Sequence, residues 1–402
     1  MPLSLADFAH LAYVLLTVPV ASTLEYLWRG PRRPRWDLRF QLQRDIAYRF
    51  IRHAMPQRTD DSDIDSLDIP AIMRGVRAKA MPAAVLAAED GEYRAIGIPA
   101  RQALVGEDEF SAAGVGADRL RELWRQDQER ERQIGCELVV AADVAKQLDA
   151  DARLACRPAA ADEKVVLFLH GGGYVMGSSG SYRQLICRIS RATGLRVLSV
   201  DYRLAPEHPF PAPIYDAYIA FKHLVCQGFR PEAIVVIGDS AGGHLSLALT
   251  HLLRLAGGAL PGGLALLSPV TDMARDRPSA EANRNFDYLA KQPVESPLAN
   301  ARLFYAPGRR LSPQMRRELA DPLVSPVNGN FDGFPPTLIQ AGACEVLVDD
   351  STGLHAAIAA QSPTRPPVLE LYEDMVHVFQ AFSARPESAQ AIASIGRFVK
   401  DL

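Results

Sequence analysis

Through the last two thirds of the chain, short unbroken apolar runs alternate with longer amphipathic stretches. Val165-Val166-Leu167-Phe168-Leu169 and Ala233-Ile234-Val235-Val236-Ile237 are the clearest runs. Runs of that length with no polar alternation predict strands buried on both faces. The same reading predicts strands over 136–141, 152–157, 165–169, 196–201, 233–237, 264–268, 337–341 and 368–372. Helical patterning fills most of the gaps, over 182–192, 215–227, 241–255, 351–360 and 387–399. Strand and helix in alternation predict an α/β fold, with a mostly parallel central sheet flanked by helices on both faces. Active sites in such sheets lie beyond the C-terminal ends of the strands.

Two of those strand ends carry chemistry. The run 233–237 leads into Gly238-Asp239-Ser240-Ala241-Gly242, and a helix-compatible stretch follows. In the Gly-x-Ser-x-Gly pattern a serine sits on a sharp strand-to-helix turn, where side chains at the flanking positions would clash. A five-residue pattern is a weak signal alone, since a Gly/Ser turn can simply open a helix. The flanking strand and helix favour a nucleophile elbow. The run 165–169 leads into His170-Gly171-Gly172-Gly173-Tyr174. Consecutive glycines after a buried strand let backbone N–H groups approach a developing oxyanion. His170 belongs to that loop and suits the role of organising it better than that of a base.

Four stretches in this order resemble the hormone-sensitive-lipase-like branch of the α/β hydrolases, a group of carboxylic ester hydrolases. They are His170-Gly171-Gly172-Gly173, the segment Asp201 to Pro211, Gly238 to Gly243, and Phe334 through Glu345 to Asp350 with His377-Val378-Phe379 beyond. The resemblance spans about residues 134–400. It implies an α/β-hydrolase fold with a helical cap. It also implies that Ser240 is the nucleophile, His377 the general base, and the N–H groups of Gly172, Gly173 and Ala241 the oxyanion donors. The order Ser, acid, His agrees with that fold. Glu345 stands where many relatives carry Asp, and a glutamate can equally hold the imidazolium. Asp349 is the rival acid, although Asp349 and Asp350 also suit a helix N-terminus. His208 and Asp216 are expected to be structural, and Asp239 to hydrogen-bond within the elbow. His377 follows the apolar/polar alternation of 368–372, beyond the final strand, where the triad order puts the base.

The 402 residues, 48% hydrophobic and 23% charged, fit a globular enzyme. A net charge of −3 gives no footprint for nucleic acid. Five cysteines form neither a metal-ligand spacing nor an even disulfide framework. No metal or organic cofactor is implied. Absence of any Asn-x-Ser/Thr sequon disfavours secretory passage, which leaves a cytoplasmic location as the expectation. The expected layout is an N-terminal extension and cap contribution over 1–130, then a catalytic domain over 131–402 with a cap insertion at about 271–334. Arg284, Tyr288, Phe304 and Tyr305 in that insertion are candidates to line a pocket, or simply to pack the cap. Phe8 to Leu24 holds no Asp, Glu, Lys or Arg, and arginines follow from Arg29 to Arg52. A helix over 8–27 therefore reads either as part of the cap or as a membrane-associating segment with a cytoplasmic basic flank. The expected partner is a small-molecule ester, hydrolysed through an acyl-enzyme and carrying a short- to medium-chain acyl group. Homodimerisation is a further expectation. Acyl transfer, lactone chemistry or amide cleavage by the same triad is the alternative reaction, and a non-catalytic small-molecule-binding protein on the same fold is the alternative class.

Overall fold

The computed structural model describes residues 5–54, 68–80, 83–148, 154–158, 160, 162–289 and 299–402. Three helices come first: α1 (Leu5–Arg29), α2 (Leu38–Ala54) and α3 (Ile69–Ala80). The eight strands are β1 (Gly91–Pro99), β2 (Gln133–Ala141), β3 (Val165–Leu169), β4 (Val197–Asp201), β5 (Ile234–Asp239), β6 (Gly263–Leu267), β7 (Thr337–Gly342) and β8 (Val368–Tyr372). They form one sheet in the order β1-β2-β4-β3-β5-β6-β7-β8. β1 and β2 pair antiparallel, as do β2 and β4, and every other pairing is parallel.

The remaining helices are α4 (Ala117–Glu129), α5 (Ala142–Ala145), α6 (Ser179–Thr193), α7 (Ala212–Cys226), α8 (Ala241–Leu255), α9 (Pro278–Ala282), α10 (Asn300–Tyr305), α11 (Pro313–Leu319), α12 (Val348–Gln361) and α13 (Pro386–Asp401). Two apolar layers enclose the sheet. One joins inward residues of β3, β5 and β6 to α7 and α8, and the other joins alternate residues of the same strands to α6 and α13. Every residue of β3, β5, β6 and β7 is buried, including the polar Asp239, Thr337 and Gln340 among their apolar neighbours.

The predicted strands and helices recur with end shifts of a few residues, except for one strand. Residues 154–157 of the expected strand 152–157 form no strand, and its first two positions lie outside the described residues. Carbonyls of Ala155 and Arg157 are taken by the buried Arg196 guanidinium instead of a neighbouring strand. In addition, the sheet holds β1, a strand the hydropathy pattern did not predict. Most of its residues face solvent at the sheet edge, so no apolar run marks it.

The interval 271–334 carries α9, α10 and α11 among its described residues. At the other end of the chain, Trp36 and Phe40 pack against Met375, Val376 and Phe379. The N-terminal segment thus reaches the loop beyond β8. Among the described residues, no helix is long and apolar enough to cross a membrane.

Candidate active site

Ser240 joins β5 to α8 with φ 51° and ψ −117°. A positive φ is costly for a residue with a Cβ, and it persists only where the surroundings over-determine it. Here the Ser240 N–H donates to the Leu267 carbonyl at 2.8 Å, and the Ser240 carbonyl accepts from His244 at 3.1 Å and Val270 at 3.2 Å. The turn is also pressed onto the end of β3. A Cβ on Gly242 would lie 1.9 Å from the Leu169 oxygen and 2.6 Å from that of His170. Only glycine permits that approach, and the approach sets the elbow beside the glycine loop.

The loop turns at Gly172, whose φ of +112° no L side chain favours. The Gly171 N–H donates to Asp239 Oδ1 at 2.8 Å, and the Tyr182 hydroxyl donates to Oδ2 at 2.9 Å. Asp239 therefore ties the elbow to the glycine loop and to α6, rather than bonding within the elbow as the sequence suggested. Burial pushes its carboxyl up to about 6, against the pull of these hydrogen bonds. Among the described residues, the N–H groups of Gly172, Gly173 and Ala241 donate to no protein acceptor. His170 holds the loop: its Nδ1 lies 2.7 Å from the Gly171 oxygen, and its ring stacks on Tyr202 at 4.3 Å.

His377 lies beyond β8, with Nε2 2.9 Å from Ser240 Oγ. Its Nδ1 is 3.7 Å from Glu345 Oε1. That is just beyond hydrogen-bond length, a spacing of the kind that shortens in a reacting complex, and it becomes an ion pair when the imidazole is protonated. Glu345 is fully buried on the loop after β7. Its other oxygen accepts from Ser268 Oγ at 2.6 Å and from the Gly342 N–H at 2.9 Å. These donors hold the carboxylate so that Oε1 is the oxygen facing His377. Asp349 is occupied elsewhere, accepting from the Ser279 N–H at 2.8 Å. Asp350 accepts from the Thr271 N–H at 2.6 Å and pairs with Arg277. Asp216 pairs with Arg132 and Arg203 at 2.9 Å each, a structural place.

The histidines divide sharply. Burial pushes His244 and His251 down to about 4, and lowers His170 as well. Burial also opposes charge on His377, but the Glu345, Asp287 and Asp239 carboxylates outweigh it, so His377 ends above its ordinary value. Of the aromatic candidates, Tyr288 stands near His377 with ring centroids 6.2 Å apart. Phe304 stacks on Tyr174 at 4.0 Å, Tyr305 donates to Glu318, and Arg284 pairs with Glu281 on the surface.

Two neighbours of the site escaped the sequence reading. Ser268 closes β6 in a Leu-Leu-Ser-Pro context that carries no distinctive signal. Buried Asp287 follows α9 and faces both His377 and the residue after Glu345. Among the described residues, no cluster of His, Cys, Asp or Glu could hold a metal ion.

Comparison with known proteins follows the same lines. Residues 166–381, more than half the chain, match a family described by the alpha/beta hydrolase fold. An "Esterase" of Acinetobacter venetianus is 35% identical over 60% of this chain and 75% of its own length. An "Acetyl-hydrolase" of Streptomyces hygroscopicus is 37% identical over 61% of this chain and 78% of its own. A solved esterase from the bacterial hormone-sensitive lipase family is 31% identical, covers 89% of this chain and 97% of its own, and superposes with a TM-score of 0.60.

Two measurements check this geometry. Gly242→Ala should lower stability by about 1–3 kcal/mol in denaturant titration, since the added methyl must displace the end of β3. With His377 as the expected base, the neutral imidazole is the active form in the pH profile of kcat/KM. A raised imidazole therefore places the acid-side midpoint above 6.5. Glu345→Gln removes the main charge that raises it. The midpoint should fall and kcat drop roughly 100- to 10,000-fold.

Proposed function

The chain belongs to the hormone-sensitive-lipase-like branch of the α/β-hydrolase family and is a carboxylic ester hydrolase, and on that footing we propose that Ser240, His377 and Glu345 are its catalytic triad. The observation that carries the assignment is the 2.9 Å contact from His377 Nε2 to a serine held in a strained turn. His377 takes the Ser240 proton as Oγ attacks the ester carbonyl. Glu345 stabilises the imidazolium that results. The carbonyl oxygen gains its negative charge against the N–H groups of Gly172, Gly173 and Ala241, which among the described residues have no protein acceptor to give up. The imidazolium then returns the proton to the departing alkoxide. Water attacks the acyl-enzyme by the same route, releasing the acid and restoring Ser240.

We assign short- to medium-chain acyl esters as substrates. The acetyl-hydrolase name of one relative supports this. Helices α9 to α11 and the N-terminal helices form the cap over the site in this reading. With a p-nitrophenyl ester series from acetate to long chains, turnover should peak at short acyl groups. Ser240→Ala should lower it by roughly 10,000-fold or more. A folded wild type that turns over no ester would overturn the assignment.

Helix α1 bears on where the enzyme works. Leu16, Val20, Leu24, Leu27 and Trp28 lie exposed along α1, with Leu27 74% and Trp28 80% exposed. Val18 and Ser22 on the opposite face are buried, and Ser22 donates to Asp45 of α2 at 2.7 Å. Exposed Arg29 and Arg39 lie beyond the end of the stripe. This pattern suits a helix lying in a membrane surface with its arginines on anionic headgroups. Sedimentation with phosphatidylglycerol vesicles should recover the wild type. Leu24→Glu with Leu27→Glu should weaken binding by at least about tenfold. Equal recovery of both would reject the lipid contact.

A further inference from the structure

Two carboxylates outside the triad hold the loops that carry it, and the N-terminal segment grips both. Asp287 has no exposed surface. One of its oxygens accepts from the N–H of Val346, the residue after Glu345, at 2.8 Å. The other accepts from the N–H groups of Tyr288 at 2.8 Å and His377 at 3.3 Å. A single side chain therefore touches the main chain of both the acid's loop and the base. The turn carrying Asp287 is fixed from α2. The buried Arg44 guanidinium donates to the carbonyls of Phe286 at 2.7 Å, Asn285 at 3.0 Å and Asp287 at 2.5 Å. Asp45 balances the Arg44 charge at 2.7 Å.

Asp374 performs the matching task on the far side of the His377 loop. It lies three residues before the base with φ 61°. Its carbonyl accepts from Trp36 Nε1 at 2.5 Å. Its carboxylate accepts from Arg33 Nε at 2.7 Å and the Arg35 N–H at 3.1 Å. Trp36 and Phe40 then cover Met375, Val376 and Phe379, which flank His377 along the chain.

We propose that residues 33–44 are a positioning clasp for the catalytic triad, fixing the Glu345 and His377 loops relative to each other through Asp287 and Asp374. The proposal rests on the triad reading above. It gives the N-terminal segment, which lies outside the family-matched residues 166–381, a task in catalysis. Asp287 and Arg44 are positioning residues. They bond to the main chain beneath the triad and not to Ser240. Geometry so supported matters because a misplacement of about 1 Å can cost about 100-fold in rate. The 3.7 Å spacing of Glu345 and His377 leaves little margin for drift.

The test uses the full chain with Asp287→Asn and Arg44→Met. The amide of Asp287→Asn keeps the shape but puts an NH2 group where an N–H now donates. Arg44→Met reaches the same turn from outside the site. Steady-state kinetics on a p-nitrophenyl ester should show kcat down by about 100-fold for Asp287→Asn and about 10-fold for Arg44→Met. KM should stay within about twofold of wild type, since neither residue is placed to bind substrate. Hydrogen exchange, which does not depend on the triad reading, should quicken in residues 373–378 of both variants. Wild-type kcat together with wild-type exchange in folded Arg44→Met overturns the clasp, and this arm stands even if Asp287→Asn fails to fold. A wild type with no Ser240-dependent turnover, but with faster exchange in the variants, would overturn the triad reading and leave the clasp as a structural tie.

Discussion

The contact between the first turn of α8 and the end of β3 is the constraint from which the rest of the site follows. Gly242 presses its bare α-carbon against the carbonyls of Leu169 and His170. The two strands behind this contact are parallel neighbours that end within one residue of each other, with Leu169 opposite Gly238. The elbow that ends one and the glycine loop that ends the other must therefore face each other. Ser240 and the N–H groups of Gly172, Gly173 and Ala241 are thereby brought to the same place. β6, β7 and β8 continue the series, and their ends supply Ser268, Glu345 and His377. Parallel pairing delivers every chemical group to one edge of the sheet.

Electrostatics then separates His377 from the other buried histidines. Burial alone makes an imidazole neutral, as at His244, which is held between the Tyr174 hydroxyl at 2.5 Å and the Val324 carbonyl at 2.9 Å. His377 is as deeply buried, yet it faces three carboxylates. One of them, Asp287, is itself pushed up to about 6 by burial. Even so, the three carboxylates together outweigh the burial of the ring and favour its charged form.

How much of this the sequence displayed depends on whether a residue's role is local. Strands buried on both faces declare themselves, and Ser240 and the glycine loop are contiguous motifs next to such strands. β1 hid because an edge strand with most positions in solvent lacks the apolar signature. Residues 154–157 misled because a strand needs a partner, and Arg196 claimed the carbonyls first. Glu345 and Asp349 are one helical turn apart in sequence. Only the fold shows that the first faces His377 while the second secures the start of α9. Arg44 and the carbonyl of Phe286 are separated by 242 positions, and no spacing rule reaches that far.

The antiparallel pair at the start of the sheet has a bearing on how this enzyme can be divided. β2 lies along β4, and β1 covers β2 over nine paired positions. A fragment cut to the family-matched stretch would strip both strands and leave β4 as a bare edge. Its unpaired N–H and C=O groups, in a strand with four of its five residues buried in the intact protein, would offer a template for pairing with other chains. The part of the chain that similarity identifies most readily is therefore the part least suited to stand alone in water.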